Sequence, residues 1–171
     1  TVHIVPGYLA VVGRFRVRDT AGAEAAGSDI TTEGDSGSLT GVEVTLRAHL
    51  GGVARWAKTF AESCGLPARI ARSIELAAAL HDAGKVDVRF QRMLRGGGDS
   101  RVAVTEPLAK SKLVAANRAA RERAAKRSGY PKRTRHELSS VALVAQQPAL
   151  FAEDVDRDLV LHLIASHHGW C

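Results

Sequence analysis

The chain is poor in cysteine, in aromatic residues and in long apolar runs, and each shortage excludes something. Cys64 and Cys171 are the only thiols among 171 residues. They are too few and too far apart for a disulfide framework or a CxxC metal clip, so a reducing, cytoplasmic setting is expected. Beside seven histidines, this scarcity means that any metal would be held by imidazole and carboxylate rather than thiolate. No apolar run approaches the roughly 18 to 20 residues of a membrane-spanning helix, and no basic n-region with an apolar h-region opens the chain. That argues against an integral membrane protein and against secretion by a signal peptide. The composition that remains, 45% apolar, 25% charged and 5% aromatic, is that of one soluble globular domain. A domain of this size buries about 70% of its unfolded surface and needs no staples. The chain opens on Thr1 and closes just after a histidine pair, as expected of a piece cut from a longer polypeptide.

Charge divides the chain more sharply than composition does. Lys and Arg outnumber Asp and Glu by 24 to 18, a net +6 that favours a polyanionic partner. Residues 85–135 hold fifteen basic and four acidic residues, a local +11, so the rest sums to 6 − 11 = −5. Residues 1–18 are rich in β-branched side chains and broken by Pro6 and Gly13, which predicts two short strands in a connector. Residues 19–41 carry five acidic residues, five glycines and no Lys or Arg, the composition of a flexible linker.

From residue 42 the apolar spacing becomes helical. Val42, Leu46, Leu50, Val53, Ala57 and Phe60 predict one amphipathic helix ending near Gly65. A second is expected from Pro67 to Gly84, and a short third over Val88–Leu94, stopped by Gly96, Gly97 and Gly98. Leu108–Arg127 reads as a surface helix of high propensity. Thr134 is the expected cap of a helix whose Leu138, Val141, Leu143 and Val144 face the core, and Asp156–His168 is the last. The body is thus expected to be all-α.

Four histidine-bearing segments carry the possible chemistry: His49-Leu50, His81–Lys85 (HDAGK), Arg135–Glu137 (RHE) and Ser166–Trp170 (SHHGW). His49 lies beside Leu46 and Val53, where an imidazole needs a hydrogen-bond partner or a metal; a satisfied, half-buried histidine is the simpler reading of it alone. His81 and Asp82 close a buried helix one turn before Lys85, which fits either a metal site or a cap answering the helix dipole. Adjacent helical residues point about 100° apart, so His167 and His168 cannot share a packing face, yet both can reach one cluster from a helix end. Otherwise they are a surface pair. His162, between Leu161 and Leu163, is assigned to packing, and His3 carries no signal. Arg118, Arg121, Arg123, Lys126, Arg127, Lys132, Arg133 and Arg135 form a track leading to His136, read either as a phosphate path or as a solvated face. Aromatic interleaving along it is poor, so binding would be driven by backbone charge and be nearly blind to sequence.

With His49, His81-Asp82, Lys85, His136 and His167-His168 in this order, the chain resembles the HD phosphohydrolase superfamily. More closely, it resembles the HD nuclease domain of the CRISPR-associated helicase-nuclease of Type I systems. The match runs over residues 42–171 through LRAHLGGVARWA, LAAALHDAGKVDVRFQ, KRTRHELSS and LIASHHGW. The resemblance implies an HD-domain helical bundle around one or two divalent transition-metal ions (Mn, Fe, Co or Ni), cutting single-stranded DNA. It further implies a helicase domain in the same parent protein and a CRISPR RNA-guided effector complex as partners. Carried over by motif, His49, His81 and Asp82 would hold one ion. Asp82 as bridge, with His136, His167 and His168, would hold the other. Asp82 and Lys85 would be catalytic, and Arg118, Arg121, Arg123, Lys126, Arg127, Arg133 and Arg135 would contact nucleic acid. One departure stands out. The family closes its first site with an aspartate on a helix downstream of the histidine pair, whereas this sequence ends three residues after His168 and Asp154, Asp156 and Asp158 precede it. The domain is therefore expected to be truncated at its C-terminus. The alternative functions are an HD phosphohydrolase acting on nucleotides and a non-catalytic DNA-binding or docking module.

Overall fold

A computed structural model of the chain describes residues 2–5, 8–11, 38, 41–98, 106–112, 118–131 and 134–169, without the side chains of residues 2–11, 118 and 121. The chain divides into two compact units, Thr1–Ile30 and Thr31–Cys171. In the first, β1 (Val2–Val5) pairs antiparallel with β2 (Tyr8–Val11) in a hairpin, Val2 opposite Val11 and Val5 opposite Tyr8. The remainder of the expected connector, residues 12–18, and most of the expected linker lie outside the described residues. Within that linker Ser38 is described, and it is buried: its hydroxyl accepts from Lys85 Nζ at 2.9 Å and its carbonyl from Ser111 N at 2.7 Å. Ser38 is thus anchored through its hydroxyl and its backbone carbonyl, without any apolar burial of its own.

The second unit is mostly helical. Its elements are β3 (Val44–Thr45), α1 (Leu46–Ser63), α2 (Ala68–Leu80), a 3₁₀ turn (Ala83–Val86), α3 (Val88–Leu94), β4 (Leu108–Lys110), α4 (Arg118–Ser128), α5 (His136–Ala145), a second 3₁₀ turn (Pro148–Leu150) and α6 (Arg157–Ser166). The all-helical expectation needs one amendment, because β3 and β4 form a two-stranded antiparallel sheet with Val44 opposite Lys110 and Thr45 opposite Leu108. Helix α1 therefore starts at Leu46, with the Thr45 hydroxyl accepting from Ala48 N at 3.2 Å. Residues 108–110 are strand rather than the head of a long helix. Leu108 and Ala109 are buried, and the carboxamide of Gln91 pairs with both backbone groups of Leu108, at 2.8 Å and 2.9 Å. Those bonds override the local helix propensity.

The main core joins α2, α5 and α6 through Ala77, Leu80, Val144, Val160 and Ile164. Burying each of the larger aliphatic side chains is worth about 1.5–3 kcal/mol. A second cluster, Phe90, Leu94 and Leu108, joins α3 to β4, with Tyr130 packed against it. Three further expectations change. Arg135, not Thr134, is the N-cap of α5, and it provides no side-chain cap. Leu138 and Phe60 are exposed although their spacing placed them on apolar faces. His162 is also exposed, so its assigned packing role does not hold.

Helix α2 stops at Leu80, four residues before Gly84, and Gly84 serves a different purpose from a helix terminator. Its N–H donates to Ser140 Oγ at 2.7 Å, and a Cβ on it would lie 2.8 Å from both Ser139 Cβ and Ser140 N. This close approach presses the turn after Asp82 against the first turn of α5.

Candidate metal centre

Four helix ends deliver the polar cluster. His49 comes from the first turn of α1, His81 is the C-cap of α2 with Asp82 following it, His136 opens α5, and His167 is the C-cap of α6 with His168 next. Asp82 lies at the middle, 2% exposed, and its two oxygens face different partners. Oδ1 is 3.0 Å from His136 Nε2 and 3.6 Å from His167 Nε2. Oδ2 is 3.3 Å from His49 Nε2, 3.5 Å from His81 Nε2 and 2.8 Å from Lys85 Nζ. His168 Nε2 lies 3.2 Å from His136 Nε2. Two groups of potential ligands result, each with its donor atoms within 4.8 Å of one another: Asp82, His136, His167 and His168, and His49, His81 and Asp82.

The protons on the rings decide whether these groups fit a cation. His81 Nδ1 is 2.8 Å from the carbonyl of Ala78, and His167 Nδ1 is 2.8 Å from that of Ile164. A carbonyl only accepts, so each Nδ1 carries its proton, and a neutral ring then turns the Nε2 lone pair toward Asp82. Burial lowers the His81 pKa to about 4 against the pull of Asp82, so that ring is neutral at physiological pH. Burial also opposes ionisation of Asp82, yet His136, His167, His49 and the Lys85 charge outweigh it and hold the carboxyl far below its usual range. For His167, burial is outweighed by Asp82 and the Ile164 carbonyl, and its pKa is raised. Asp82 Oδ1 and His167 Nε2 are both buried without a hydrogen bond. With the rings neutral, imidazole and carboxylate lone pairs converge on one point, which a divalent cation would satisfy, and a donor set of imidazoles and one carboxylate suits a transition metal better than Mg.

The sequence as a whole supports the same assignment: a family model described as the HD domain of Cas3 matches residues 42–171. The chain belongs to the Cas3 HD-domain family. No curated protein and no solved structure matches it. Membership places it in a CRISPR-associated HD nuclease family, among the HD phosphohydrolases.

In this Cas3 HD domain every histidine carried over by motif is found around Asp82. Lys85 is 5% exposed, its ammonium held between Asp82 Oδ2 and Ser38 Oγ. Arg123, Lys126 and Arg127 are exposed on α4, which packs on α3. Arg118 and Arg121 lie on α4 with side chains outside the described residues, and Arg133 and Lys132 also fall outside them. Arg135 is engaged by Glu137, Nη2 to Oε1 at 3.0 Å. Sequence reasoning gave no part to Ser38, which meets Lys85, to Ser140, which fixes Gly84, or to Glu137, whose carboxylate is fully buried beside His136. Only Glu137 left a trace in the sequence, as a carboxylate following a histidine at a helix start. Among the described residues no helix is long and apolar enough to cross a membrane.

Proposed function

We propose that the chain is a metal-dependent nuclease domain that cleaves single-stranded DNA in CRISPR interference, in the cytoplasm, with a helicase domain of its parent protein and an RNA-guided effector complex as partners. The observation that carries the reading is the division of Asp82, one oxygen facing His136 and His167, the other facing His49 and His81. One carboxylate is thereby set to bridge two ligand groups, for one or two ions of Mn, Fe, Co or Ni. Such ions supply polarisation of a phosphodiester and activation of water near neutral pH. The group of Asp82, His136, His167 and His168 offers four ligands; that of His49, His81 and Asp82 offers three and shares its Oδ2 with Lys85, so the four-ligand group is the tighter. Lys85 keeps Asp82 ionised and oriented, and its charge close to the centre offsets negative charge developing on phosphate. Arg123, Lys126 and Arg127 offer exposed charge to a polyanionic strand.

The test is cleavage of circular single-stranded DNA by metal-stripped protein resupplied with Mn or Ni, alongside Asp82→Ala. Restored cutting that is absent from the variant is expected, and an active Asp82→Ala protein sinks the assignment. Hydrolysis of nucleotides but not DNA in the same assay would instead favour the nucleotide phosphohydrolase, and DNA binding without cutting under any divalent ion the docking module.

A further inference from the structure

An imidazole offers Nε2 as a lone pair only if Nδ1 keeps a proton, and a buried Nδ1–H needs an acceptor. His81 and His167 meet this need in the same way. Each caps the C-terminus of its helix, where the last carbonyls have no intrahelical partner, and each reaches the carbonyl three residues back. His136 cannot do so, because it is the first residue of α5 and the unpaired backbone groups at that end are N–H donors. Among the described residues a side chain is placed to supply the acceptor instead. Glu137 is 0% exposed; Arg135 holds its Oε1, and its Oε2 lies 3.5 Å from His136 Nδ1. Among the described residues neither His136 Nδ1 nor Glu137 Oε2 has a hydrogen-bond partner, so two buried, unsatisfied polar atoms face each other.

We propose that Glu137 is a positioning residue: its carboxylate keeps the proton on His136 Nδ1, so that Nε2 can give its lone pair to an ion held beside Asp82 Oδ1. Its consequence for metal affinity rests on the reading of the Asp82 cluster as a metal centre; the state of the His136 ring does not. A competing role is purely structural, an acidic residue in the first turn of α5 that answers Arg135 and the helix dipole. That role predicts a less stable protein with an unaltered ring.

The experiment compares the full chain with Glu137→Gln and Glu137→Met, reading the His136 ring nitrogens by ¹⁵N NMR without metal and the Mn(II) affinity by titration calorimetry. Gln keeps an acceptor oxygen but loses the charge, so Nδ1 stays protonated and affinity drops severalfold. Met loses both, the Nε2–H form of His136 becomes populated, and Mn(II) affinity falls roughly 10- to 100-fold. A Met variant with the wild-type ring state overturns the proposal, as does unchanged affinity in both variants. Should the Met variant not fold, the Gln variant decides, and wild-type Mn(II) affinity there overturns it. A wild-type chain that binds no Mn(II) refutes the metal reading, while the ring nitrogens still judge Glu137.

Discussion

At Gly84 a hydrogen fits and a methyl group does not. The space is closed by the His136 carbonyl, Ser139 Cβ and Ser140 N on α5, so a Cβ there pushes on the helix that starts with His136. Gly84→Ala is expected to destabilise the domain by about 1–3 kcal/mol, as overpacked sites do, and to weaken Mn(II) binding as His136 shifts. Thermal unfolding and metal titration check this; a variant matching wild type in both shows that the approach is slack. The sequence marks this glycine only as a helix terminator, because its neighbour lies more than fifty positions further along the chain. The clustered histidines are legible for the opposite reason. Their residue type and order survive in one dimension, and His81-Asp82 and His167-His168 each stand beside a helix end that apolar spacing alone locates. Ser38 and Ser140 were beyond reach, since a serine that meets Lys85 or Gly84 looks like any other serine.

Among the elements, α3 shows how local chemistry fixes a boundary. Spacing places it over Val88–Leu94, and the structure has it there. Asp87 caps it, Oδ1 accepting from Arg89 N at 2.7 Å and Phe90 N at 3.4 Å, while Arg89 Nη2 reaches back to Oδ2 at 2.6 Å. Burial opposes ionisation of this carboxyl, and the hydrogen bonds and charge of Arg89 outweigh it, so its pKa lies below the ordinary 3.8. With the folded pKa the lower one, the unfolded chain binds the extra proton. The contribution of Asp87 is therefore complete above pH 3.8 and is lost as pH falls through its folded value. Asp87→Ala is expected to cost about 1 kcal/mol at pH 7, as the loss of a cap does. The gap between variant and wild-type unfolding free energies should close on acidification, and a gap that persists well below pH 3.8 contradicts this account. Where α3 succeeds, α1 and β4 show the limit of periodicity. Trp56 and Phe60 recur at helical spacing, yet their stacked rings, 5.6 Å apart, lie exposed, and Leu108 joins a strand because Gln91 claims its backbone. Neither outcome depends on the local pattern.

Over the whole molecule the +11 of residues 85–135 is set against −5 elsewhere, and part of it is presented by α4. Replacing Arg123, Lys126 and Arg127 with Ala should weaken single-stranded DNA binding equally for all sequences. It should also flatten the dependence of log affinity on log salt by about 0.7 for each phosphate that the variant no longer neutralises, with Mn(II) binding unchanged. Fluorescence anisotropy across a salt series measures this, and an unaltered slope would remove α4 from the DNA path.

The arrangement around Asp82 has a further consequence, in the statistics of the chain. Residues 49, 82, 136 and 167 belong to α1, the end of α2, α5 and the end of α6, so the centre gathers segments strung along most of the helical unit. Ions held in the two groups, which share Asp82, would close several long loops at once. In the unfolded ensemble those loops are open, and the entropy of closing them grows only slowly with length. A chain too poor in cysteine for a disulfide framework thus has the means of a reversible cross-link, whose strength is set by the supply of metal rather than by the redox state of its surroundings.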